Sequence, residues 1–103
     1  MIDRVWAARA TPANAPAYVE HLRDHVLPTL RRVDGYEGAR LLQRLDGGDV
    51  EMVVVTRWRS LASIRGFAGD DIERAVVADE AAVLLTGFDD RVAHFEVVLT
   101  DDR

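Results

Sequence analysis

The strand predicted over residues 49–58 constrains the fold more than any other segment, because it is apolar on both sides. Successive side chains of a strand point to opposite faces, so Met52 and Val54 share one face while Val53 and Val55 share the other. Helices from so short a chain can cover one face of the sheet. A second copy of the same sheet is the simplest cover for the other face, so we expect a homodimer joined through sheet faces.

A long helix with a bend is predicted over residues 12–33. Thr11 is its expected N-cap, and apolar side chains recur along it at intervals of three and four residues. Pro28 lacks the backbone N–H that an inner helical turn donates. We therefore expect the helix to bend near His25.

The order of the predicted elements defines the fold class. The remaining elements are a strand at 2–9, a hairpin of strands at 36–45 and 49–58, a helix from Ser60 to Gly69, a turn from Asp70 to Val77, a short helix capped by Asp79 and a strand at 91–100. The order β-α-β-β-α-β is that of the ferredoxin-like fold, an α+β class with a four-stranded antiparallel sheet. One such domain occupies residues 1–103.

Composition excludes several kinds of chemistry. Eighteen acidic residues against thirteen basic ones give a formal charge of −5, which repels nucleic acid and anionic membranes. The chain has no cysteine, and its basic residues are all arginines, so thiolate catalysis, disulfides and lysine Schiff bases are excluded. Neither a signal peptide nor an apolar run of membrane length is evident. We expect a cytoplasmic protein.

Four strings along the chain carry a resemblance to a known family: Met-Ile-x-Arg-Val-Trp at 1–6, Gly-Tyr-x-Gly at 35–38, a longer string at 58–76 and Arg-Val-x-His-Phe-Glu-Val at 91–97. Together they resemble the antibiotic biosynthesis monooxygenase family of dimeric α+β barrel proteins, over essentially the whole chain. The resemblance implies a ferredoxin-like subunit whose sheet joins a second subunit's sheet in a closed barrel. It also implies a small cavity in each subunit, between sheet and helices.

The same family includes cofactor-free oxygenases of aromatic polyketides, quinol oxygenases and haem-degrading enzymes. The haem-degrading members use an asparagine on the first strand, a tryptophan in the second helix and a histidine that binds iron. The resemblance places Ala7, Phe67 and Val77 at these positions. None of the three can do the corresponding work, so no cofactor is expected.

Four residues are predicted to form a site within such a cavity. His25 and Tyr18 lie along one margin of the apolar face of the first helix, where His25 would act as a general base and Tyr18 would hydrogen-bond the substrate oxygen. Trp58 and Phe67 would shape the cavity. The alternatives are a half-buried His25 bonded to a carbonyl group and a Trp58 that only fills the core.

Two further histidines need separate interpretation. His94 shares a face of the last strand with Glu96, and is either a second catalytic candidate or a polar residue of the cavity or dimer interface. His21 lies further from the centre of the apolar helix face, and we expect it to be solvated. The His21–His25 pair has a spacing that metal sites use, but the H-E-x-x-H context is absent and a third ligand would have to come from His94 or a carboxylate, so no metal is predicted.

Two functions remain compatible with these residues. The first is a cofactor-independent monooxygenase acting on an electron-rich aromatic molecule such as a phenol, anthrone or quinol. The second is a non-catalytic dimeric barrel that binds a small hydrophobic molecule or accompanies a pathway enzyme. A cavity lined by aromatic side chains with an accessible imidazole favours the enzyme, and a cavity filled by side chains favours the binding protein.

Overall fold

An antiparallel sheet carries all the helices on one of its faces in the computed structural model, which describes residues 1–103. The strands are β1 (Ile2–Ala10), β2 (Tyr36–Asp46), β3 (Asp49–Trp58), β4 (Gly87–Phe88) and β5 (Ala93–Glu96), and the helices are α1 (Ala15–His21), α2 (Leu27–Leu30), α3 (Leu61–Ala68) and α4 (Asp79–Ala82). The strand order is β2-β3-β1, with β4 and β5 both paired to the far edge of β1. This order confirms the predicted α+β, ferredoxin-like class.

The fourth position of the sheet is divided between two short strands, so the prediction of four strands and of one strand at 91–100 needs correction. Phe88 of β4 opposes Ala8, and Ala93 of β5 opposes Val5. The two residues of β1 are three positions apart in the sequence, whereas their partners are five positions apart. The two extra residues bulge out of the ladder, which ends β4 and starts β5 in a new register.

The first helix begins three residues later than predicted, at Ala15 instead of Pro12. Thr11 stays outside the helix but still accepts hydrogen bonds from its first turn. The Thr11 carbonyl oxygen accepts from the N–H of Ala15 at 2.9 Å, and the hydroxyl oxygen accepts from the N–H of Asn14 at 3.2 Å. Thr11 therefore accepts hydrogen bonds from backbone N–H groups that have no partner within the helix, although it lies one turn before the helix begins.

A π-turn at Leu22–Val26 joins α1 to α2, in the place where the bend was predicted. Pro28 has no N–H to donate to the carbonyl group four residues before it, which weakens the regular α-helical ladder here. A π-turn accommodates one residue more than an α-helical turn does. Every residue after it is consequently rotated by about 100° from its place in an uninterrupted helix.

The buried core lies between the helices and one face of β3. Met52, Val54 and Trp58 are buried on that face, while Val53 and Val55 point to the opposite face and are only half-buried. The opposite face, here called the open face, carries no helix. None of the helices combines the length and the apolar character needed to cross a membrane.

The start of α3 is fixed by reciprocal caps, and it lies at Ser60, where the sequence predicts it. The Ser60 hydroxyl accepts from the N–H of Ser63 at 3.3 Å, and the Ser63 hydroxyl accepts from the N–H of Ser60 at 3.2 Å. The helix ends at Ala68, just before Gly69. Gly35, which precedes β2, packs directly against this capped turn.

Replacing Gly35 by alanine should destabilise the protein far more than replacing Gly48. Both glycines have φ near +90°, at 90° and 91°, so both replacements carry a left-handed strain of about 1–2 kcal/mol. Only at position 35 would the new Cβ clash with the Cβ of Ser63. Overpacking there adds about 1–3 kcal/mol. Urea unfolding of both variants measures the difference, and equal losses would contradict this packing.

Candidate functional site

A cavity of about 70 Å³ lies between the helix-covered face of the sheet and the helices. Twelve of its fifteen lining residues are hydrophobic, and Trp6, Tyr18 and Phe67 supply aromatic wall. Residues 76–78 form its rim, where Val76 is 52% exposed. The volume is about half of the ~150 Å³ of an apolar cavity that accepts benzene. An enclosed, mostly apolar space with a few converging polar groups is the usual form of a small-molecule site.

Arg4 is a buried polar group of the cavity wall, with only 4% of its surface exposed. Its guanidinium donates to the carbonyl oxygen of Ile72, to the carbonyl oxygen of Arg74 at 2.8 Å and to Nε2 of His94 at 3.0 Å. Burial lowers the pKa of Arg4 below its usual range. All of its partners are neutral dipoles, and none of the ion pairs of the structure includes it.

The guanidinium therefore brings an uncompensated positive charge to one side of an apolar space. The Phe67 ring centroid lies 5.7 Å from Cζ of Arg4, which adds a cation–π attraction. Carbonyl dipoles and an aromatic face offset part of the desolvation cost but carry no negative charge. The wall around Arg4 consequently favours an anion over a neutral or cationic ligand.

Helix α1 contributes two further polar residues to the cavity wall, Tyr18 and His21, and β3 contributes Thr56. Burial raises the pKa of Tyr18 to about 12, so its hydroxyl stays protonated at neutral pH and can donate a hydrogen bond. Neither the Tyr18 hydroxyl nor the His21 ring forms a hydrogen bond to another group of the protein. Their polar atoms are not inaccessible either, because the structure contains no buried polar side-chain atom without a hydrogen-bond partner. Both are available to a ligand.

Tyr18 and Phe67 lie in the cavity wall, in the place that the sequence predicts for them. Their role in binding a ligand stays a prediction. Trp58 does not line the cavity, because it is fully buried behind Phe67, with which it stacks at a centroid distance of 6.0 Å. Its indole N–H donates to the Thr56 hydroxyl at 2.8 Å. Trp58 therefore belongs to the core, and its predicted contact with a ligand is corrected.

The predicted placement of His25 is wrong, and His21 occupies the cavity in its stead. His25 is exposed and lies outside the wall, whereas His21 is buried in it. The cause is the π-turn, which rotates everything after it by about 100°. Val26 lines the cavity where an uninterrupted helix would put His25. The apolar periodicity that located His25 cannot reveal such an extra residue.

His94 also lies outside the wall, but it contacts the cavity through Arg4. Because a guanidinium only donates, Nε2 of His94 must be the unprotonated acceptor of this hydrogen bond. Burial, and then the charge of Arg4, lower the pKa of His94 below its usual range, while Glu73 opposes the shift. His94 thus holds Arg4 in position, and its predicted catalytic role stays untested.

Arg4 is the site residue that the sequence analysis missed. It opposes Thr56 of β3 and His94 of β5, so it lies on the helix-covered face of the sheet. The sequence did contain one indication of its position, because Arg4 lies on the same face of the predicted first strand as Trp6 and Ala8. Which residues Arg4 opposes depends on the strand register, which only the three-dimensional structure shows.

The residues of this cavity do not fit haem. Phe67 and Val77 do line it, but Ala7 lies on the open face opposite Val53, and the first-strand residues in the wall are Arg4 and Trp6. Valine offers no ligand to iron, and the cavity is far below the ~300 Å³ at which ligand pockets usually begin. No three His, Asp or Glu side chains cluster in a way that would hold a metal ion.

Residues 1–79 match the family model described as antibiotic biosynthesis monooxygenase. The chain belongs to this family, which confirms the resemblance found in its sequence. The uncharacterised protein Rv2558 of Mycobacterium tuberculosis is 30% identical over 97 residues, which cover 93% of this chain and 38% of that protein. The chain therefore spans about two fifths of the length of this relative.

Solved structures of the same fold include two proteins with described ligands. The haem degrader MhuD from Mycobacterium tuberculosis, with two haems bound in its active site, is 24% identical, with a TM-score of 0.63 and coverage of 99% of this chain and 100% of that chain. A monooxygenase from the gene ActVA-Orf6 of Streptomyces coelicolor, in complex with nanaomycin D, is 20% identical, with a TM-score of 0.63 and coverage of 97% and 92%. Both likenesses show the fold.

Replacing His94 by glutamine should weaken the dependence of stability on pH between about pH 6.5 and pH 5. Because the pKa of His94 is lowered in the folded protein, the unfolded chain takes up the proton first as the pH falls through about 6.5. The contribution of His94 to the free energy of unfolding is fully present above that pH and is lost as the pH falls below it. Glutamine accepts the Arg4 hydrogen bond without titrating.

The measurement is the free energy of unfolding in urea at several values between pH 8 and pH 5, for the wild type and the glutamine variant. At pH 8 the imidazole is neutral in both states, so the difference there reports only the changed hydrogen bond. The wild type should then lose more stability than the variant on acidification. Parallel pH profiles would contradict the assigned environment of His94.

Proposed function

We propose that this protein is a cofactor-independent monooxygenase that acts on a small electron-rich aromatic molecule, of the phenol, quinol or anthrone type. The observation that carries the proposal is an imidazole without a protein partner, His21, inside an apolar cavity beside Tyr18 and Arg4. Membership of the antibiotic biosynthesis monooxygenase family supports it. The ActVA-Orf6 protein, which has the same fold and is a monooxygenase, supports it as well.

The three polar groups match the needs of such a reaction. Molecular oxygen reacts slowly with closed-shell organic molecules, but an electron-rich anion can transfer an electron to it. In this scheme His21 takes the acidic proton of the substrate, and Arg4 with the Tyr18 hydroxyl stabilises the resulting anion. The apolar wall excludes water, which strengthens both electrostatic contacts. His21 takes the role of base that the sequence analysis gave to His25.

The reaction balances with oxygen as the only oxidant. One electron passes from the bound anion to oxygen, giving a substrate radical and superoxide. Their recombination forms a carbon–oxygen bond, and the peroxide takes up the proton held by the base. Loss of water from this hydroperoxide breaks the oxygen–oxygen bond and leaves a carbonyl group on the ring, so one oxygen atom enters the product and the other leaves as water.

The small volume of the cavity favours a second candidate, a non-catalytic barrel that binds a small hydrophobic molecule or accompanies a pathway enzyme. The space of about 70 Å³ is about half of the ~150 Å³ of an apolar cavity that accepts benzene. The aromatic wall and the available imidazole favour the enzyme. Oxygen consumption separates the two functions directly.

Replacing His21 by alanine should reduce oxygen uptake by about 10²–10⁴-fold, which is the usual contribution of a general base. The assay follows dissolved oxygen in chelator-treated protein supplied with a panel of phenols, quinols and anthrones. His25→Ala is the matched control, because it removes the same side chain from an exposed position one turn away. It should leave uptake close to that of the wild type.

Three outcomes would decide between the assignments. A loss of uptake with His21→Ala but not with His25→Ala supports His21 as the base. The reverse pattern would restore the base predicted from the sequence. Uptake by the wild type that never exceeds the buffer rate would favour the non-catalytic binding protein.

We also propose that a second copy of the chain covers the open face of the sheet. Val53 and Val55 are half-buried there, and Leu42 and Phe95 extend the apolar surface with exposures of 48% and 56%. Contiguous apolar surface of this kind marks an interface. A two-fold dimer would bury the same side chains of both copies against each other.

Replacing Leu42 by aspartate should convert the dimer to a monomer, because two buried carboxylates without partners would face each other across the interface. Leu61→Asp is the matched control, since Leu61 is a leucine of nearly equal exposure, 46%, on helix α3 away from the open face. Sedimentation velocity at micromolar concentration gives the mass of each species. A monomeric wild type would contradict the proposed cover.

A further inference from the structure

Arg4 lacks a carboxylate partner in a chain where acidic residues outnumber basic ones by eighteen to thirteen. Six other arginines form ion pairs with carboxylates at the surface, whereas this buried one does not. Glu73 lies in sequence between the two residues whose carbonyls hold Arg4. Its carboxylate pairs instead with Arg91, at 3.2 Å. The positive charge of the cavity is therefore left free to meet a negative charge from outside the chain.

The hydrogen bonds of Arg4 lead to the same conclusion. A guanidinium has five N–H donors, and three of them point to Ile72, Arg74 and His94. The Nε–H and one N–H of Nη2 have no acceptor in the protein. The Nε atom is not sealed inside the protein, since no buried side-chain nitrogen lacks a partner. Because Arg4 lines the cavity, these are the donors that a ligand there would meet. An oxygen anion in the cavity would receive charge-assisted hydrogen bonds from them.

The size of the cavity restricts the body of such a ligand. At about 70 Å³ the space is smaller than one that holds benzene. Even one ring therefore requires the rim at residues 76–78 to move outward. That rim contains neither helix nor strand, while the opposite wall is the packed core of β3 and α1. A single ring therefore displaces only the rim, and a fused three-ring system would have to displace the core.

We propose that the cavity binds a single-ring phenol as its anion, with the phenolate oxygen on Arg4. This inference names the substrate class of the proposed function and rests on that function for the choice of site. An aromatic carboxylate shares the chemistry of an anion on a flat ring. The phenolate is favoured because a carboxylate arrives already ionised and needs no base, whereas a phenol must lose its proton, and His21 lies in the same wall to take it.

The test uses 4-nitrophenol as the probe, because its anion has a visible absorption band and its neutral form does not. The probe is titrated with wild-type protein at a pH about one unit below its own pKa, where most of the free probe is neutral. Binding next to Arg4 should ionise it, so the visible band should grow with protein concentration. The ionised fraction of the bound probe should be at least ten times larger in the wild type than in Arg4→Met, whose cavity is neutral.

Two controls separate charge recognition from loss of the fold. The methyl ether 4-nitroanisole has the same ring but no proton to lose, and it should bind the wild type and Arg4→Met with similar affinity. Arg4→Met is checked by its thermal unfolding. In the wild type alone, the affinity for 4-nitrophenol should rise as the pH is raised towards its pKa, while that for 4-nitroanisole should stay constant.

Each outcome decides the inference. Growth of the visible band without any oxygen uptake from the substrate panel would support the phenolate site and reject the oxygenase. A bound probe that stays neutral, or equal pH profiles for the two probes, would overturn the phenolate site. Tight binding of 4-nitrobenzoate together with failure to bind 4-nitrophenol would overturn it in favour of an aromatic carboxylate. Failure of all three probes to bind would overturn it outright.

Discussion

A guanidinium buried without a carboxylate partner is the constraint on which the construction of the site depends. Arg4 is tolerated inside the protein because carbonyl groups of Ile72 and Arg74 and the ring of His94 accept its hydrogen bonds. These acceptors come from the segment after α3 and from β5, which the chain reaches only after most of the fold is complete. One side chain of the first strand thereby attaches the segment between α3 and the cavity rim to the sheet. Without it, these carbonyl groups and the His94 ring would lose a charged hydrogen-bond donor.

The apolar core behind the cavity gives this charge its effect. Phe67 faces the guanidinium, and Trp58 stacks behind Phe67 while its indole N–H is held by Thr56. The aromatic wall is thus fixed by the same packing that joins β3 to α3. A charge beside such a wall acts in a medium of low polarity, where it attracts an anion more strongly than it would in water. Structural residues therefore contribute to recognition without touching the ligand.

The fold was predictable from local patterns, because they report on local physics. Alternation along β3 identified both faces of the sheet, and Ser60 followed by apolar residues at helical spacing located α3. The division of the last strand escaped prediction, because it depends on which residues of β1 stand opposite Phe88 and Ala93. The patterns of residues 91–100 carry no information about that partner strand.

The site was predictable only in part, for the same reason. Tyr18 and Phe67 lie before the π-turn or outside that helix, and their periodicity placed them in the wall. His25 lies within the π-turn, where the periodicity no longer applies. The absence of an ion pair at Arg4 could not be predicted, because it depends on where every acidic side chain lies in the tertiary structure. Spacing along one strand cannot reveal it.

The π-turn lets a chain of one length present either of two imidazoles to the cavity. If residues 22–26 formed ordinary α-helical turns with no residue removed, everything after them would rotate by about 100° relative to α1, and His25 would take the place that Val26 has in the wall. Deleting one residue of this segment would instead remove the extra residue and leave Val26 in the wall. A substitution that favours one kind of turn over the other can therefore change which imidazoles meet a ligand, although neither histidine is replaced. A comparison of relatives position by position would record no change at either histidine.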